Sequence, residues 1–230
     1  MKRFAGYVLT LALLVGMTYV ILTYAPKFPQ LSTSNITETE KDGTEMQVEV
    51  INGETATYRI EVHYPQFGIS SVDSKIKAVV DNAVAAFKEY PANPPESSVP
   101  QNELTGSFDS VYVGPDFVSV KLSLSEYTGG AHPNTVIIGV NVDRKTGKEL
   151  TLDDALTLIG KSLEEVAEQS LKELKATLGD DIISPEGAAP EPKNYNVFLV
   201  SKEKVTFVFN SYQVAPYSAG QQQVSFKRAE

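Results

Sequence analysis

The sequence predicts an α+β fold, with a largely antiparallel sheet and two or three helices packed on one face. Two observations support this prediction. Strand-like segments with alternating apolar residues come in groups, and segments whose apolar residues are spaced by three and four separate those groups. A hydrophobic content of 42% in 230 residues supplies enough apolar surface for a core.

The composition excludes several classes of protein. The chain has no Cys, so neither a disulfide scaffold nor a Cys-ligated metal site can form. The 20 basic and 29 acidic residues give a net charge of −9, whereas a protein that binds nucleic acid normally carries a basic face. We therefore expect no nucleic-acid partner, and we assign no cofactor.

The N-terminus predicts a location outside the cytoplasm. Lys2 and Arg3 precede an uncharged run over 4–26, which is long enough to cross a bilayer as a helix with its basic end in the cytoplasm. We expect residues 1–26 to form an uncleaved signal anchor, that is, a single-pass transmembrane helix in the cell membrane. Cleavage of a signal peptide, followed by secretion, is the alternative.

The remaining chain predicts a linker and one extracytoplasmic domain. Residues 27–45 are rich in Ser, Thr, Asn and Glu and lack a period, as linkers do. Residues 46–230 form the domain, with an N-terminal part (46–143) and a C-terminal part (144–230). From residue 27 onward the chain has 18 basic and 29 acidic residues, a net charge of −11 that would attract a basic partner.

The N-terminal part begins with a predicted hairpin and helix. Strand patterns over 47–51 and 55–64 flank Asn52-Gly53, a dipeptide typical of two-residue turns. The spacing of apolar residues predicts a helix over 70–88, with Ser70 and Asp73 as a capping box.

Three further strands are predicted over 108–113, 117–126 and 134–143. In the second strand, Val and Leu alternate with Ser and Lys, which predicts one buried and one wet face. In the third strand, one face is predicted to carry Val136, Ile138, Val140 and Val142.

The C-terminal part predicts two helices and a smaller group of strands. Thr151 with Asp154 and Ser162 with Glu165 fit capping boxes, and Gly179 stands where the second helix should end. Strand patterns over 195–201 and 205–210 predict a hairpin, and 223–228 predicts a final strand.

Two loops hold the candidate functional residues. The segment from Tyr127 to Pro133 contains Gly129 and Gly130, which permit a tight crossing between strands. It is either a geometric turn or a rigid loop that presents Tyr127 and His132 to a ligand. The segment over 212–220 contains Tyr212, Pro216 and Tyr217; its rings either contact a partner or pack back onto the sheet.

Enzymatic readings of these residues remain alternatives. His132 could act as a general base or a metal ligand, but His63, the one other histidine, is far away in sequence, so we predict no metal site. Glu126 and Asp143 flank neighbouring strands and could hydrolyse a glycosidic bond if they were paired; otherwise they are solvated strand ends. The sequence contains no G-x-S-x-G, P-loop or H-E-x-x-H motif.

Three segments in order carry a family resemblance: YTGGAHP at 127–133, DRKTGKELTL at 143–152 and FNSYQVAPYSAG at 209–220. Together they resemble the bacterial extracytoplasmic module made of the domain-of-unknown-function families 4163 and 3298. In that family, an anti-sigma factor for sigma V binds lysozyme through the module, and a related module accompanies the catalytic domain of a peptidoglycan deacetylase. Only about three residues precede the predicted anchor here, and no deacetylase metal motif is present, so we do not carry over anti-sigma or deacetylase activity.

Together, these expectations favour a recognition domain, with a binding function rather than a catalytic one. The resemblance implies a lysozyme-like protein or peptidoglycan as the partner, and no catalytic residue is assigned. A cell-wall glycan hydrolase using His132 and nearby carboxylates is the alternative, and a passive structural domain is a third. The predicted contact residues are Tyr127, Gly129, Gly130, His132, Tyr212, Pro216 and Tyr217.

Overall fold

The computed structural model describes residues 40–41, 43–99 and 101–229, which form two β-sheets and three α-helices. The strands are β1 (Glu40–Lys41), β2 (Gln47–Glu54), β3 (Tyr58–Gln66), β4 (Asn102–Val113), β5 (Phe117–Tyr127), β6 (Asn134–Asp143), β7 (Phe198–Val200), β8 (Lys204–Phe209) and β9 (Gln222–Lys227). The helices are α1 (Ser70–Lys88), α2 (Leu152–Ile159) and α3 (Leu163–Leu178).

The central sheet has the strand order β2-β3-β4-β5-β6. All neighbouring pairs on this path are antiparallel except β3 and β4, which are parallel and connected through α1. The short β1 pairs in parallel with the end of β4. Helix α1 covers one face of the sheet with the buried residues Val72, Ile76, Val80, Val84 and Phe87, a spacing that matches the predicted helical stripe.

The smaller outer sheet has the antiparallel order β7-β8-β9. Helices α2 and α3 pack on it around a second core that contains Tyr195, Phe207 and Phe209. Burial raises the pKa of Tyr195 to about 12, so its phenol stays protonated and donates to the carbonyl of Ala188 at 2.7 Å. The predicted α+β class and antiparallel pairing are confirmed, but the helices are shared between two sheets.

The local predictions for α2 and α3 are confirmed. Both predicted capping boxes form, with the side chains of Thr151 and Ser162 accepting hydrogen bonds from the backbone of Asp154 and Glu165. Gly179 follows the last residue of α3 with a φ of 56°, a conformation that suits glycine at a helix end.

Two local predictions in the N-terminal part are wrong. Asn52 and Gly53 remain inside β2, paired with Glu61 and Ile60, and the chain turns three residues later because the Thr55 hydroxyl accepts from the backbone N–H groups of Thr57 and Tyr58. Ser70 does not cap α1. The N-cap is Ile69, which makes no side-chain cap.

Asp73 serves a different purpose from the predicted capping box. Its carboxylate accepts a hydrogen bond from the backbone N–H of Phe67 at 2.8 Å. This bond ties the first turn of α1 to the segment that follows β3.

The prediction of a wet face on β5 is also wrong for half of the strand. Ser119 and Lys121 are 0% and 4% exposed, because the outer sheet covers them. The Lys121 ammonium lies 3.0 Å from the Asp109 carboxylate and forms an ion pair with it there. In β6, Val136 is exposed whereas Ile137 is buried against Leu199 and Val208. Apolar residues of β6 therefore lie on both faces of the strand.

The two sheets meet at a buried cluster that we call the polar junction: Ser119, Asn141 and the backbone of Phe198 and Val200. The Ser119 hydroxyl donates to the Asn141 side-chain oxygen at 2.6 Å, and the Asn141 amide donates to the Phe198 carbonyl at 2.7 Å. The backbone N–H of Val200 donates to both side chains. Gly139 lets β7 approach, since a Cβ at this position would lie 2.2 Å from the Phe198 oxygen.

The predicted anchor and most of the predicted linker lie outside the described residues. Glu40–Lys41, within the predicted linker, form β1. Among the helices of the described segments, none is both long and apolar enough to cross a membrane.

Candidate functional site: an exposed aromatic surface

The β5–β6 hairpin ends in the loop from Tyr127 to Pro133. Gly129 and Gly130 have φ values of 103° and 116°, which explains why both positions are glycine. The Tyr127 hydroxyl donates to the Gly130 carbonyl at 2.8 Å and closes the loop on itself. The loop is therefore a structured turn that projects His132 to its surface, where this residue is exposed.

The second candidate segment follows β8 and is anchored by buried side chains and by the hydrogen bonds of Gln213. Val214 and Ala215 are each 1% exposed and belong to the second core. The Gln213 side chain donates to the carbonyls of Gly187 and Asn194 and accepts from the backbone of Asn210. This anchoring leaves Tyr212 on the outside, 56% exposed, in a left-handed conformation with a φ of 69°.

The two segments meet through the rings of His132, Tyr212 and Tyr217, which we call the aromatic surface. The His132 imidazole stacks on the Tyr217 ring with centroids 3.8 Å apart and an interplanar angle of 15°. Tyr212 lies beside both, with centroid distances of 6.1 Å to His132 and 5.6 Å to Tyr217. Three of the predicted contact residues, up to 85 positions apart in sequence, thus form one cluster.

Hydrogen bonds fix the rings. The Tyr217 hydroxyl donates to the Pro133 carbonyl at 3.3 Å. His132 Nδ1 lies 2.9 Å from the same carbonyl, and its Nε2 lies 3.1 Å from the Tyr212 hydroxyl. Because a carbonyl can only accept, Nδ1 carries a proton, and in the neutral ring Nε2 accepts from Tyr212.

The other predicted contact residues surround this cluster. Gly129 and Gly130 are exposed, whereas Tyr127, Pro216 and Tyr217 are partly buried. Pro216 precedes a short 3-10 turn over Tyr217–Ala219, which directs Tyr217 toward the hairpin loop.

The paired-carboxylate arrangement is not formed. In the β5–β6 register, Glu126 pairs with Asn134, while Asp143 pairs with Phe117 at the opposite end of the hairpin. Nine residues of strand separate the two carboxylates, or about 30 Å. They therefore cannot act on one glycosidic bond within this hairpin.

Each of these carboxylates has a local structural partner. Glu126 accepts a hydrogen bond of 3.1 Å from the Tyr90 hydroxyl, and this bond raises the pKa of Tyr90. The backbone N–H of Thr146, at 2.7 Å, is the main cause that lowers the pKa of Asp143.

His132 also lacks an acidic partner within the described part of the chain. Its polar neighbours are the Pro133 carbonyl and the Tyr212 hydroxyl. Across these residues, no three His, Asp or Glu side chains lie close enough together to hold a metal ion. The surface is built from rings and hydrogen-bonding groups, which suits recognition of another molecule.

Two positioning residues were missed from sequence. Asn210 accepts from the backbone N–H of Ile137 at 2.9 Å and so joins β6 to the segment that carries Tyr212. Gln213 holds the same segment from inside. Both residues lie within the segment at 209–220. They were missed because a hydrophobicity pattern does not show which polar side chains bond to distant parts of the chain.

Two family models match successive segments of the chain. Residues 51–135 match the family model described as deacetylase PdaC, and residues 148–229 match the model described as a protein of unknown function, DUF3298. Peptidoglycan-N-acetylmuramic acid deacetylase PdaC of Bacillus subtilis is 28% identical over 197 residues, which cover 84% of this chain and 42% of the deacetylase. The chain therefore spans less than half the length of that relative.

Other relatives are matched over a larger part of their own length. Immunogenic protein MPT64 of Mycobacterium tuberculosis is 25% identical over 174 residues, which are 75% of each chain. A crystal structure of a DUF3298 family protein from Pseudomonas aeruginosa aligns with a TM-score of 0.53 at 17% identity, covering 81% of this chain and 92% of that one. A DUF3298 family member from Bacteroides fragilis aligns with a TM-score of 0.51 at 18% identity, covering 80% and 90%. The predicted resemblance is thereby confirmed: this chain combines a segment similar to the PdaC family with a following segment similar to DUF3298.

Proposed function

We propose that this chain is a cell-wall-associated recognition domain that lies outside the cytoplasm and binds a lysozyme-like protein through its aromatic surface. The observation that carries the proposal is the stacked pair of His132 and Tyr217, with Tyr212 exposed beside it. Tyrosine and histidine rings held in place by hydrogen bonds offer contact area at low cost in conformational entropy.

Charge supports a basic partner. The chain from residue 27 carries a net charge of −11, and such a charge raises the association rate of a basic protein at low salt. The aromatic surface contains no acidic side chain among its named residues, so the general charge would steer the partner while the rings supply the specific contact.

Peptidoglycan is the second candidate partner. It is favoured by the similarity to a protein whose name is peptidoglycan-N-acetylmuramic acid deacetylase. Aromatic rings also stack on the C–H faces of sugars, so the same surface could contact wall glycan. Neither partner requires catalysis by this chain, and we propose a binding function without enzymatic activity.

The proposed location rests on the sequence of the first 26 residues. An uncharged run over 4–26 behind Lys2 and Arg3 favours a membrane anchor. The linker over 27–45 would then hold the domain away from the membrane.

The test is a calorimetric titration of the full-length protein with lysozyme at low and near-physiological salt. Saturable one-to-one binding that survives salt supports specific recognition, whereas heat that vanishes with salt reveals only attraction by the net charge. Tyr212→Ala should weaken salt-resistant binding, and Tyr90→Ala, which removes another exposed tyrosine, should not. If the protein did not bind lysozyme but sedimented together with purified peptidoglycan, peptidoglycan would be the favoured partner.

A further inference from the structure

A second surface lies at the edge of the central sheet that is formed by β2. Among the described residues, β2 pairs with a strand on one side only, through eight consecutive pairs with β3. Its other side is an open edge, to which an extended chain can add as a further strand. We infer that this edge binds a basic, extended peptide segment of another protein.

The outward backbone groups of this edge belong to alternate residues. The backbone N–H of Thr55 donates to the Tyr58 carbonyl at 2.8 Å, so the pair that closes the turn after β2 is hydrogen-bonded. Bonded and non-bonded pairs alternate along an antiparallel ladder. The residues that direct their N–H and C=O groups outward are therefore Val48, Val50, Asn52 and Glu54. The pairing of Val48 with Pro65, which has no N–H, agrees with this assignment.

The strand lacks the features that usually block an open edge. Natural edge strands are protected by Pro, by Lys or by a bulge, whereas β2 contains neither residue and its register with β3 is unbroken. Val48 and Val50 lie on one face of β2 and are 39% and 42% exposed. A strand added beside β2 would place its own side chains against these two valines, so that apolar burial would add to the backbone hydrogen bonds.

The charges of β2 favour a basic partner. Its charged residues are Glu49 and Glu54, and Glu45 lies two residues before it. Glu45 and Glu49 are exposed and, among the described residues, form no ion pair. A second copy of this acidic chain would bring two such edges together, and like charges on neighbouring strands are destabilising. A segment with Lys or Arg on the face of Glu49 and apolar residues on the face of Val50 would complement both faces.

The experiment is a fluorescence-anisotropy titration of labelled octapeptides with the full-length protein at near-physiological salt. An octapeptide of alternating Lys and Val should bind saturably, and one of alternating Glu and Val at least about tenfold more weakly. Two further versions of the basic peptide carry methyl groups on its backbone nitrogens, at the Lys positions in one and at the Val positions in the other. One of these two should lose binding, because a strand that is paired on one side uses the N–H groups of alternate residues.

Val50→Pro tests the strand itself. It removes an outward N–H and leaves the hydrogen bonds to β3 in place, since Pro is accepted on the open side of an edge strand. Peptide affinity should fall at least about tenfold, with a urea midpoint close to that of the wild type. Val50→Thr keeps the N–H and the branched side chain; it is the matched control and should bind within about threefold of the wild type.

Tyr217→Ala separates the β2 edge from the aromatic surface, because β2 and β6 lie at opposite edges of the central sheet. It should reduce lysozyme binding and leave peptide binding unchanged. Absence of saturable peptide binding, or binding that both methylated peptides retain, overturns the inference. A dimer that is detected by analytical ultracentrifugation and lost in Val50→Pro also overturns it, because a second copy of the chain would then occupy the edge.

Discussion

The polar junction and the aromatic surface both connect the β5–β6 hairpin to the C-terminal part of the chain, but they differ in exposure. In the polar junction, Ser119 and Asn141 are 0% and 3% exposed, and they bond to one another and to the backbone of β7. In the aromatic surface, His132 bonds to a tyrosine that is 56% exposed.

This contrast separates a structural role from a recognition role. Both clusters bring together residues that are distant in sequence, so convergence alone does not identify a functional site. In the junction, the described polar groups bond to other protein groups, and a substitution there should act on stability. In the aromatic surface, rings face solvent, and a substitution there should act on binding.

Asn141→Leu should have the largest effect on stability. This change removes the acceptor of the Ser119 hydroxyl and the donor to the Phe198 carbonyl. We expect a loss of about 2–4 kcal/mol in the free energy of unfolding, because each unsatisfied buried group costs about 1–3 kcal/mol. Urea denaturation followed by circular dichroism measures this loss.

Binding provides the control for that variant. Lysozyme affinity should be unchanged in Asn141→Leu at temperatures where it remains folded. A variant of normal stability but reduced affinity would show that the junction belongs to the recognition site.

Tyr217→Ala should have the opposite effect, with a large loss of lysozyme affinity and a small loss of stability. It removes the ring that stacks on His132 and the hydroxyl that bonds to the Pro133 carbonyl. We expect at least about a tenfold loss of lysozyme affinity, as for other central aromatic residues in interfaces, and a destabilisation of about 1 kcal/mol or less. Paired titrations and thermal unfolding test this; a collapse of the melting temperature would assign the ring to the core.

Tyr212→Phe should have a smaller effect, because it keeps the ring and removes only the hydroxyl that bonds to His132 Nε2. Loss of one partly exposed hydrogen bond should weaken lysozyme binding about 2- to 10-fold. The measurement is the same titration at near-physiological salt. Unchanged affinity in both Tyr212→Phe and Tyr212→Ala would remove Tyr212 from the contact surface.

Acid should weaken two contacts of the structural framework, at Asp143 and Glu165. Backbone N–H donors, Thr146 for Asp143 and Ser162 for Glu165, are the leading causes that lower the pKa of these two carboxyl groups. The pKa of each group in the folded protein lies below its value of about 4 in the unfolded chain. The two carboxylates therefore stabilise the folded protein at pH values above about 4. This stabilisation is lost as the pH falls through the folded pKa.

The double variant Asp143→Asn with Glu165→Gln should therefore lose less stability than the wild type between pH 5 and pH 3. Urea midpoints at the two pH values measure this difference. Equal losses in the two proteins would mean that other groups dominate the acid response.

Much of the fold follows from local patterns. Helix α1, strand β6 and both C-terminal capping boxes form at the predicted residues because their signals depend on neighbours within a few positions. The Asn52-Gly53 turn was mispredicted since Thr55 supplies a competing turn through its hydroxyl. The burial of Ser119 and Lys121 could not be predicted, because it depends on a second sheet that begins about 80 residues later.

The site shows the same limit. Motif resemblance and residue chemistry predicted Tyr127, His132, Tyr212, Pro216 and Tyr217 as contact residues. They did not predict the stacking of His132 on Tyr217. That contact depends on Asn210 and Gln213, which fix one segment against the other.

Hydrogen–deuterium exchange of the full-length protein, with and without lysozyme, tests directly whether lysozyme binds at the aromatic surface. We predict protection on binding in the hairpin loop around His132 and in the segment containing Tyr212 and Tyr217. Peptides that contain Ser119 and Val200 should exchange equally slowly in both states, because they are already buried and bonded. Protection confined to other surfaces, with no change at His132 or Tyr217, would show that lysozyme does not bind at the aromatic surface.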